Sequence, residues 1–380
     1  MMIARLIEEQ ILGRLNSSNK IIILYGSRQV GKTTLIREVI KKAPYKTLSV
    51  NADRREYSEV LSSRDFGKLK RLVSGYELLF IDEAQRIEDI GINLKILHDE
   101  LPDLKIIATG SSSFELANIM KEPLTGRTWT FNLYPVSLSE LALRNNRFEL
   151  GQRLDEYLIF GLYPEVFSFN STDDKVIYLK ELSSSYLYKD ILELGNLRNA
   201  KAIYDLLRLL AYQIGSTVSL NELGRQLEMS KDTVARYIDL LEKAFVLFRL
   251  SGFSRNLRKE VVKMDKIFFY DLGIRNAVIE NFNELDHRPD TGQIWENFLI
   301  IERLKTMSYQ KQYANRYFWR TYTGAELDYV EERGGQLNGF EFQWGKKEAK
   351  APKTWLEAYP GAGFQSINRE NYLEFLLGPE

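Results

Sequence analysis

Short apolar runs alternate with amphipathic segments in the first third of the chain. Each run is rich in Ile, Leu or Val and is followed by polar or small residues; the runs are Lys20–Tyr25, Leu78–Ile81 and Leu104–Ala108. Continuous apolar strands separated by helical segments are typical of a parallel sheet with helices on both faces. We therefore expect an α/β fold here, in which the first strand is followed by a glycine loop and then by a helix over Thr33–Lys42.

The hydrophobic pattern becomes helical after about Leu138. Residues 138–199 show helical spacing that is interrupted by the turn sequence Gly161-Leu162-Tyr163-Pro164. Closely spaced short helices are expected over residues 201–265. Beyond them, the pattern predicts a helix over Gln293–Lys305 and strands at Lys266–Tyr270, Arg316–Tyr322, Glu326–Glu331 and Gly339–Trp344.

Composition narrows the function mainly by exclusion. The 380 residues include 52 Lys and Arg and 52 Asp and Glu, so any binding of nucleic acid must use a local patch rather than a global positive field. The lack of cysteine excludes disulfides, thiolate metal sites and a cysteine nucleophile, and two histidines make a histidine zinc site unexpected.

The sequence shows no pattern typical of membrane targeting. The segment Met1–Arg14 is amphipathic and lacks the apolar core and cleavage site of a signal peptide. No apolar run approaches the roughly 18 to 20 residues that cross a bilayer. We therefore predict a cytoplasmic protein that does not contact membranes.

A glycine-rich motif follows the first predicted strand. The sequence GSRQVGKT matches the pattern G-x-x-x-x-G-K-[ST] of a phosphate-binding loop, and it lies between a strand and a helix as phosphate binding requires. Its glycines allow successive N–H groups to face phosphates, Lys32 is expected to contact the β- and γ-phosphates, and Thr33 is expected to ligate magnesium. The residues predicted to contact a nucleotide are Gly26, Ser27, Arg28, Gln29, Val30, Gly31, Lys32, Thr33 and Thr34.

Two acids end the second predicted strand. Asp82 is expected to hold magnesium, directly or through water, and Glu83 is expected to polarise the attacking water in hydrolysis. Solvated acids at a strand end are common by themselves, but their position downstream of a phosphate loop favours the catalytic interpretation. Glu83 also argues against a small-molecule kinase, because activation of water suits hydrolysis.

Hydroxyl-bearing residues follow the third predicted strand, in the segment Thr109-Gly110-Ser111-Ser112-Ser113. One interpretation is a helix N-cap formed by Ser111 or Ser112. The other is that Thr109 and Ser111 lie beside the γ-phosphate, because the carboxyl ends of neighbouring parallel strands meet on the ligand side of the sheet. We prefer the second interpretation.

Further short sequence motifs that bear on the family occur along nearly the whole chain. Among them are LTGR, LYPVSLSEL, GLYPEV, YLYKDI, FFYDLGIRNAV, IWENFLIIE and GAELDY. With GSRQVGKTTL, LFIDEAQ and ATGSSS, they make the chain resemble the AAA-type ATPases of archaea and bacteria that carry a C-terminal domain of unknown function. The resemblance implies ATP as the nucleotide. It also maps a small-Gly-Arg segment onto Thr125-Gly126-Arg127, so Arg127 is a candidate arginine finger, acting in cis or across a subunit contact of a homo-oligomer.

Pattern and resemblance together predict four segments. Residues 1–137 form a P-loop ATPase domain and residues 138–200 a helical lid or connector. Residues 201–275 form a winged-helix domain, and residues 276–380 a small α/β domain similar to restriction endonucleases.

A helix-turn-helix pattern lies within the third segment. Ser219–Glu228 and Lys231–Ala244 are predicted helices joined by a tight turn, with Ser230 as the N-cap of the second. The second helix and the basic segment that follows are expected to contact double-stranded DNA through Lys231, Thr233, Arg236, Tyr237, Arg255 and Arg258. Nine basic against seven acidic residues between Leu220 and Asp265 is a weak excess, which keeps open a helical domain that binds protein instead.

Acidic residues in the last segment have the layout of a restriction-endonuclease-like metal site. Asp328 and Glu341 lie on neighbouring predicted strands and Glu296 lies in the long helix, so the three are candidate ligands of magnesium. Gln343 stands where the catalytic lysine of that layout is expected, although two lysines follow closely. We therefore favour a domain that binds nucleic acid or protein without cutting it.

The preferred interpretation is an ATPase in which Mg²⁺-dependent ATP binding and hydrolysis move a winged-helix domain and a nuclease-like domain, acting on or near DNA. An ATP-gated DNA nuclease and a nucleotide-dependent switch that binds only protein are the alternatives.

Overall fold

The structure is a computed structural model that describes residues 3–111, 124–195, 200–255 and 264–379. The first third of the chain folds around a five-stranded sheet in the order β2-β3-β4-β1-β5, and every pairing in it is parallel. The strands are β1 Ile21–Gly26, β2 Thr47–Asn51, β3 Leu78–Asp82, β4 Lys105–Gly110 and β5 Thr128–Leu133.

This sheet confirms the α/β fold that the apolar runs predict. β1 lies inside the sheet and is buried along its whole length, which explains why its sequence is continuously apolar. β2 and β5 form the two edges and mix polar with apolar residues, so the run pattern did not reveal them. The helices of this unit are Ile7–Ser17, Lys32–Lys42, Arg55–Leu61, Phe66–Val73 and Ile90–Glu100, with a 3₁₀ turn at Ala84–Arg86.

A helical connector follows the parallel sheet. Its first part ends at Phe160, and the predicted turn at Gly161–Tyr163 separates it from a 3₁₀ helix that starts at Pro164. Proline has no N–H to donate and is therefore well suited to the first position of a helix. The helical elements of the connector are Leu138–Leu141, Arg147–Gln152, Leu154–Phe160, Pro164–Ser168 and Thr172–Gly195.

The remaining strands form one seven-stranded sheet in the order β12-β11-β10-β9-β7-β8-β6. β7 pairs with β8 in antiparallel fashion and with β9 in parallel fashion, so the sheet is continuous across residue 275, where the sequence predicted a domain boundary. The strands are β6 Thr217–Val218, β7 Leu247–Gly252, β8 Asp265–Phe269, β9 Asn315–Arg320, β10 Glu326–Arg333, β11 Gln336–Phe342 and β12 Gly363–Ile367.

The helices around this sheet include the predicted helix-turn-helix pair and a long buried helix. Thr291–Tyr309 is buried on almost every side and contributes to the main hydrophobic core. A smaller core is formed around Trp319 and Trp355. The helices are Ala200–Tyr212, Leu220–Gln226, Lys231–Lys243, Leu272–Val278, Thr291–Tyr309, Lys353–Ala358 and Tyr372–Leu377, with a 3₁₀ turn at Leu285–His287.

Across the described ranges, none of the helices combines the length and the apolar character that crossing a membrane requires.

Candidate functional site

The predicted phosphate loop lies between β1 and helix Lys32–Lys42. A Cβ atom at Gly26 would collide with the carbonyl oxygen of Leu133 on β5, so only glycine fits the start of the loop. Gly31 has φ 98°, a left-handed conformation that glycine adopts at little cost, and it precedes the first helical residue. The loop therefore turns sharply and delivers the helix N-terminus to the site, as anion binding requires.

Lys32 closes this loop on itself. Its buried ammonium donates to the carbonyl oxygens of Gly26 and Ser27, both at 2.9 Å. A buried cation must be hydrogen-bonded, and these two carbonyls accept from it. The lysine is thus held at the centre of the loop, where phosphate oxygens could replace the carbonyls.

A chain of hydrogen bonds joins the loop to the ends of β3 and β4. Thr33 donates its hydroxyl to one oxygen of Asp82 at 2.9 Å, and Thr109 donates to the other oxygen at 2.6 Å. The N–H of Glu83 donates to the hydroxyl of Thr109 at 3.3 Å. The structure therefore brings together Thr33, Asp82, Glu83 and Thr109 from three separate segments.

Gln85 also belongs to this group, although the sequence did not single it out. Its Nε2 donates to Glu83 Oε2 at 2.5 Å and lies 3.0 Å from the hydroxyl oxygen of Ser111. Its Oε1 is buried and has no hydrogen-bond partner among the described residues. The only available signal was its place in the segment LFIDEAQ, two residues after Glu83.

Arg5 holds the other side of the loop. Its guanidinium donates to the carbonyl oxygens of Val30 and Tyr134 at 2.9 and 2.5 Å, and to the carboxylate of Glu140 at 2.9 Å. Arg5 also lines a cavity of about 270 Å³ that is bordered by Gly31 and Thr34. Sequence reasoning missed Arg5, since its partners lie up to 135 positions away.

Two tyrosines of the connector contact the phosphate loop. The hydroxyl of Tyr163 donates to the hydroxyl oxygen of Ser27 at 2.9 Å, and that of Tyr178 donates to the side-chain oxygen of Gln29 at 3.2 Å. Tyr163 is almost fully buried. The predicted turn at Gly161–Pro164 therefore packs against the nucleotide site.

The structure does not bring Arg127 to the nucleotide site of its own chain. Ile21, the first residue of β1, donates its N–H to the carbonyl oxygen of Arg127 at 2.9 Å, whereas the phosphate loop follows the opposite end of β1. The guanidinium forms two bonds with Asp99, at 2.8 and 3.0 Å. The expectation of a finger acting in cis is therefore wrong, because the sheet separates Arg127 from the loop.

The helix predicted to contact DNA exposes only part of the expected set. Lys231 and Arg236 are exposed, and Thr233 is partly buried beside the N-cap Ser230. Tyr237 is 6% exposed and belongs to the hydrophobic core, so its predicted DNA contact is wrong.

The basic segment after β7 is described only at its start. Arg255 forms an ion pair with Glu332 at 3.0 Å and remains largely exposed. Arg258 lies outside the described residues.

The acids predicted to bind magnesium in the C-terminal part are arranged around a lysine. Lys266 of β8 is buried, and its ammonium lies 2.8 Å from Glu296 Oε1 and 3.7 Å from Asp328 Oδ1. Asp328 also accepts the N–H of Phe342 at 2.8 Å. One oxygen of Glu341 is buried without a hydrogen-bond partner among the described residues. We call Lys266, Glu296, Asp328 and Glu341 the C-terminal charge cluster.

Burial changes the protonation of this cluster. Burial lowers the pKa of Lys266, but the carboxylates of Glu296 and Asp328 outweigh this and raise it above its ordinary value. Burial raises the pKa of Glu296 to about 8, against the effect of the ammonium. Burial and the neighbouring Asp328 raise the pKa of Glu341 to about 8. Near neutral pH, the single ammonium is therefore accompanied by carboxyl groups that retain protons.

This arrangement differs from the predicted magnesium site. In the part of the chain that the structure describes, no three His, Cys, Asp or Glu side chains are grouped closely enough to hold a metal ion. The expectation for Glu296, Asp328 and Glu341 is therefore not supported, because Lys266 supplies the positive charge among these acids. Lys266 comes from β8, outside the segment around Gln343 where the endonuclease-like layout places a lysine.

Three family models match successive parts of the chain. An AAA domain matches residues 18–142, a domain of unknown function (DUF8612) matches residues 151–285, and a second (DUF4143) matches residues 291–371. Together they confirm the AAA-type domain and the C-terminal domain of unknown function that the sequence resemblance implied.

The chain is similar to uncharacterised proteins of bacteria and archaea. Rv2008c of Mycobacterium tuberculosis is 31% identical over 326 residues, which cover 85% of this chain and 70% of that protein. MJ1544 of Methanocaldococcus jannaschii is 25% identical over 304 residues, which cover 75% and 66%. Among solved structures, the Walker-type ATPase PABY2304 of Pyrococcus abyssi gives a TM-score of 0.51 at 17% identity, over 73% of this chain and 96% of that one, which shows a shared fold. The chain therefore belongs to the same family as Rv2008c, with an AAA-type P-loop ATPase domain followed by a C-terminal DUF4143 domain.

Proposed function

We propose that this chain binds ATP together with Mg²⁺ and hydrolyses it at the phosphate loop. The observation that carries the proposal is the hydrogen-bonded chain Thr33–Asp82–Thr109, which joins three segments at the end of the sheet where phosphates bind. The hydroxyl of Thr33 and the carboxylate of Asp82 are oxygen ligands of the kind that Mg²⁺ prefers. Held there, the ion would neutralise charge on the phosphates.

The protein side chains have distinct roles in this proposal. Lys32 exchanges the two loop carbonyls for β- and γ-phosphate oxygens and thereby stabilises the charge that develops during transfer. Glu83 accepts a hydrogen bond from the attacking water and orients it. Gln85 holds the Glu83 carboxylate at 2.5 Å, and its Oε1, which has no partner among the described residues, offers a second acceptor for that water.

In this proposal, the base and ribose of the nucleotide lie in the cavity beside the loop. It has a volume of about 270 Å³ and is bordered by Gly31, Thr34 and Leu35 together with the segment Ile3–Arg5. Because Arg5 bonds to the carbonyl of Val30, the same side chain borders the cavity and supports the loop. A nucleotide in this position would touch the loop, the N-terminal segment and Pro164 of the connector.

We further propose that hydrolysis is coupled to movement of the unit built on the seven-stranded sheet. Tyr163 contacts Ser27, and the adjacent N–H of Leu162 donates to Asp271 at 2.7 Å. Asp271 also caps helix Leu272–Val278 by accepting the N–H of Ile274. This route connects the phosphate loop with the unit built on the seven-stranded sheet through a few polar contacts. A change in the conformation of the loop would therefore shift the contacts of that unit.

DNA is the proposed target of that movement. The element order helix, β6, helix, helix, β7, β8, with β6 and β7 both paired to β8, supports a winged-helix arrangement. Lys231 and Arg236 are exposed on helix Lys231–Lys243 and fit phosphate contacts. Asp232, Asp239 and Glu242 on the same helix reduce the positive field, which keeps a protein partner as the alternative.

The proposal is tested by measuring ATP hydrolysis with Mg²⁺, with and without duplex DNA. Lys32→Ala should reduce the rate at least 100-fold, and Glu83→Gln should abolish turnover while nucleotide binding persists. Lys41→Ala is the matched control, since Lys41 lies on the same helix and is exposed. A wild-type protein without activity would refute the ATPase proposal. Activity that is indifferent to DNA would favour the protein-binding switch.

A further inference from the structure

A cleft of about 370 Å³ separates the edge of the parallel sheet from the end of the long C-terminal helix. One wall is β5 together with Arg14 of the first helix. The other wall is formed by residues 308–316, which follow from helix Thr291–Tyr309 into β9. The two walls meet where Gln10 donates its side-chain amide to the carbonyl oxygen of Tyr309 at 2.6 Å. The cleft therefore spans both units of the protein.

The charged residues that line this cleft are all basic. Arg14, Lys311 and Arg316 line it, and none of its described lining residues is acidic. Within the described residues, no carboxylate lies within 4.0 Å of any of these three cations. Glu331, which is opposite Arg316 in the β-ladder, is instead bound by Arg303 at 2.8 and 3.0 Å. Three cations thus line the cleft without an ion-pair partner in the part of the chain that the structure describes.

Aromatic side chains alternate with these cations. Trp129 and Phe131 are half-buried on β5, and Tyr313 on the opposite wall is 84% exposed. The guanidinium of Arg14 lies 3.9 Å from the centre of the Trp129 ring, which adds positive charge beside an aromatic surface. The Tyr313 ring is open to solvent, so one of its faces is available to stack on a planar group.

Cations interleaved with exposed rings are what a flexible polyanion with planar groups requires. Single-stranded nucleic acid supplies phosphates for the cations and unpaired bases for the rings, whereas a duplex keeps its bases stacked inside. An acidic peptide would satisfy the cations but would gain less from Tyr313. We propose that this cleft binds single-stranded DNA, with phosphates on Lys311 and Arg316 and a base stacked on Tyr313.

This site is separate from the helix Lys231–Lys243, and it does not depend on nucleotide hydrolysis. Because its walls come from the ATPase sheet and from the C-terminal part, a bound strand would bridge the two units. The proposal therefore extends the proposed function, and it can fail while ATP hydrolysis or duplex binding is confirmed.

The test measures binding of fluorescein-labelled dT20 to the full chain by fluorescence anisotropy in 50 and 150 mM salt. Lys311→Glu with Arg316→Glu should weaken the affinity at least tenfold and reduce the salt slope by about 1.4, the value for two lost phosphate contacts. Tyr313→Ala should weaken it about fivefold or more. Lys350→Glu and Tyr322→Ala are controls, since both side chains are exposed elsewhere, and they should leave the affinity unchanged.

Several outcomes would overturn the proposal. One is a wild-type protein that does not bind dT20 at 50 mM salt, and another is equal binding by the cleft and control variants. Loss of dT20 binding in Lys231→Glu with Arg236→Glu, but not in the cleft variants, would place the strand on the helix instead. Equal binding of a labelled poly-glutamate peptide, insensitive to Tyr313→Ala, would show a general site for acidic partners. Thermal unfolding of each variant verifies that it is folded.

Discussion

The phenolic oxygen of Tyr163 lies 2.9 Å from the hydroxyl oxygen of Ser27, and this contact joins the connector to the phosphate loop. Both residues are almost fully buried, so water cannot replace the bond. Ser27 is the second residue of the loop, and its neighbour Gly26 accepts a bond from Lys32. A shift of the loop on nucleotide binding must therefore be accommodated by the connector.

We predict that Tyr163→Phe lowers the free energy of unfolding by about 1 kcal/mol, because it leaves a buried hydroxyl without its partner. It should also change ATP affinity several-fold and weaken the coupling between ATP and the second unit. Tyr322→Phe is the control, since this side chain is exposed and does not contact the phosphate loop. Equal ATP affinity and equal coupling in wild type and Tyr163→Phe would contradict a transmitting role.

Arg5 supplies a second prediction. Its buried ion pair with Glu140 and its bonds to two carbonyls place it where no water can substitute. Arg5→Met should therefore destabilise the protein by about 3–5 kcal/mol, as expected when one partner of a buried pair is removed. Arg5→Met with Glu140→Gln should recover part of the loss. Denaturant unfolding measures both, and an unchanged midpoint for Arg5→Met would exclude this role.

Lys266 allows a test of the C-terminal charge cluster. Lys266→Met removes the ammonium that donates to Glu296 and leaves buried acceptors without a donor, so it should lower the free energy of unfolding by about 1–3 kcal/mol, and adding Glu296→Gln should restore part of it. Without nucleotide, Mn²⁺ should not shift the melting temperature of the wild type, because the ammonium already lies among the acids. A metal-induced rise in wild-type melting temperature, or cleavage of plasmid DNA that Asp328→Asn removes, would revive the nuclease alternative.

The pH dependence of stability provides a fourth prediction. The pKa of Glu341 is raised to about 8 by burial and by Asp328, so the folded state holds this proton more tightly than the unfolded state does. The contribution is fully present at low pH and is lost as the pH rises from the ordinary carboxyl range through about 8. Glu341→Gln should remove this loss and be more stable than wild type at pH 8.5 by on the order of 1 kcal/mol, since partial exposure screens the effect. Urea unfolding of both proteins between the ordinary carboxyl range and pH 8.5 tests this prediction. Curves of unfolding free energy against pH that run parallel for the two proteins would contradict the raised pKa of Glu341.

The nucleotide site was the part most accessible to sequence reasoning, for a physical reason. The loop, Asp82, Glu83 and Thr109 all lie at the carboxyl ends of buried parallel strands, and such strands leave continuous apolar runs in the sequence. Once the strands are placed, the residues that follow them must meet. The apolar runs and the glycine motif therefore predicted that these residues lie close together.

Contacts that depend on packing between distant segments have no comparable pattern in the sequence, so they were not predicted. Tyr163 and Ser27 are 136 positions apart, and Lys266 reaches Glu296 from a strand that the domain prediction assigned elsewhere. Tyr237 shows a different failure, because it lies three residues after the buried Val234 and helical spacing already placed it on the core side. Arg127 was expected near the phosphate loop but lies at the opposite end of β1, because a motif gives the order of residues along the chain and not the end of the sheet at which they lie.

The parallel ladder between β7 and β9 has a practical consequence for dissecting this protein. A piece ending at residue 275 would keep β7 and β8 but lose β9, and the complementary piece would start with β9 lacking its neighbour. Each would present an unpaired strand edge to solvent, which is a template for association with other chains. Pieces cut there should be expressed as aggregates, whereas a polypeptide retaining residues 200–379 keeps every ladder of that sheet intact.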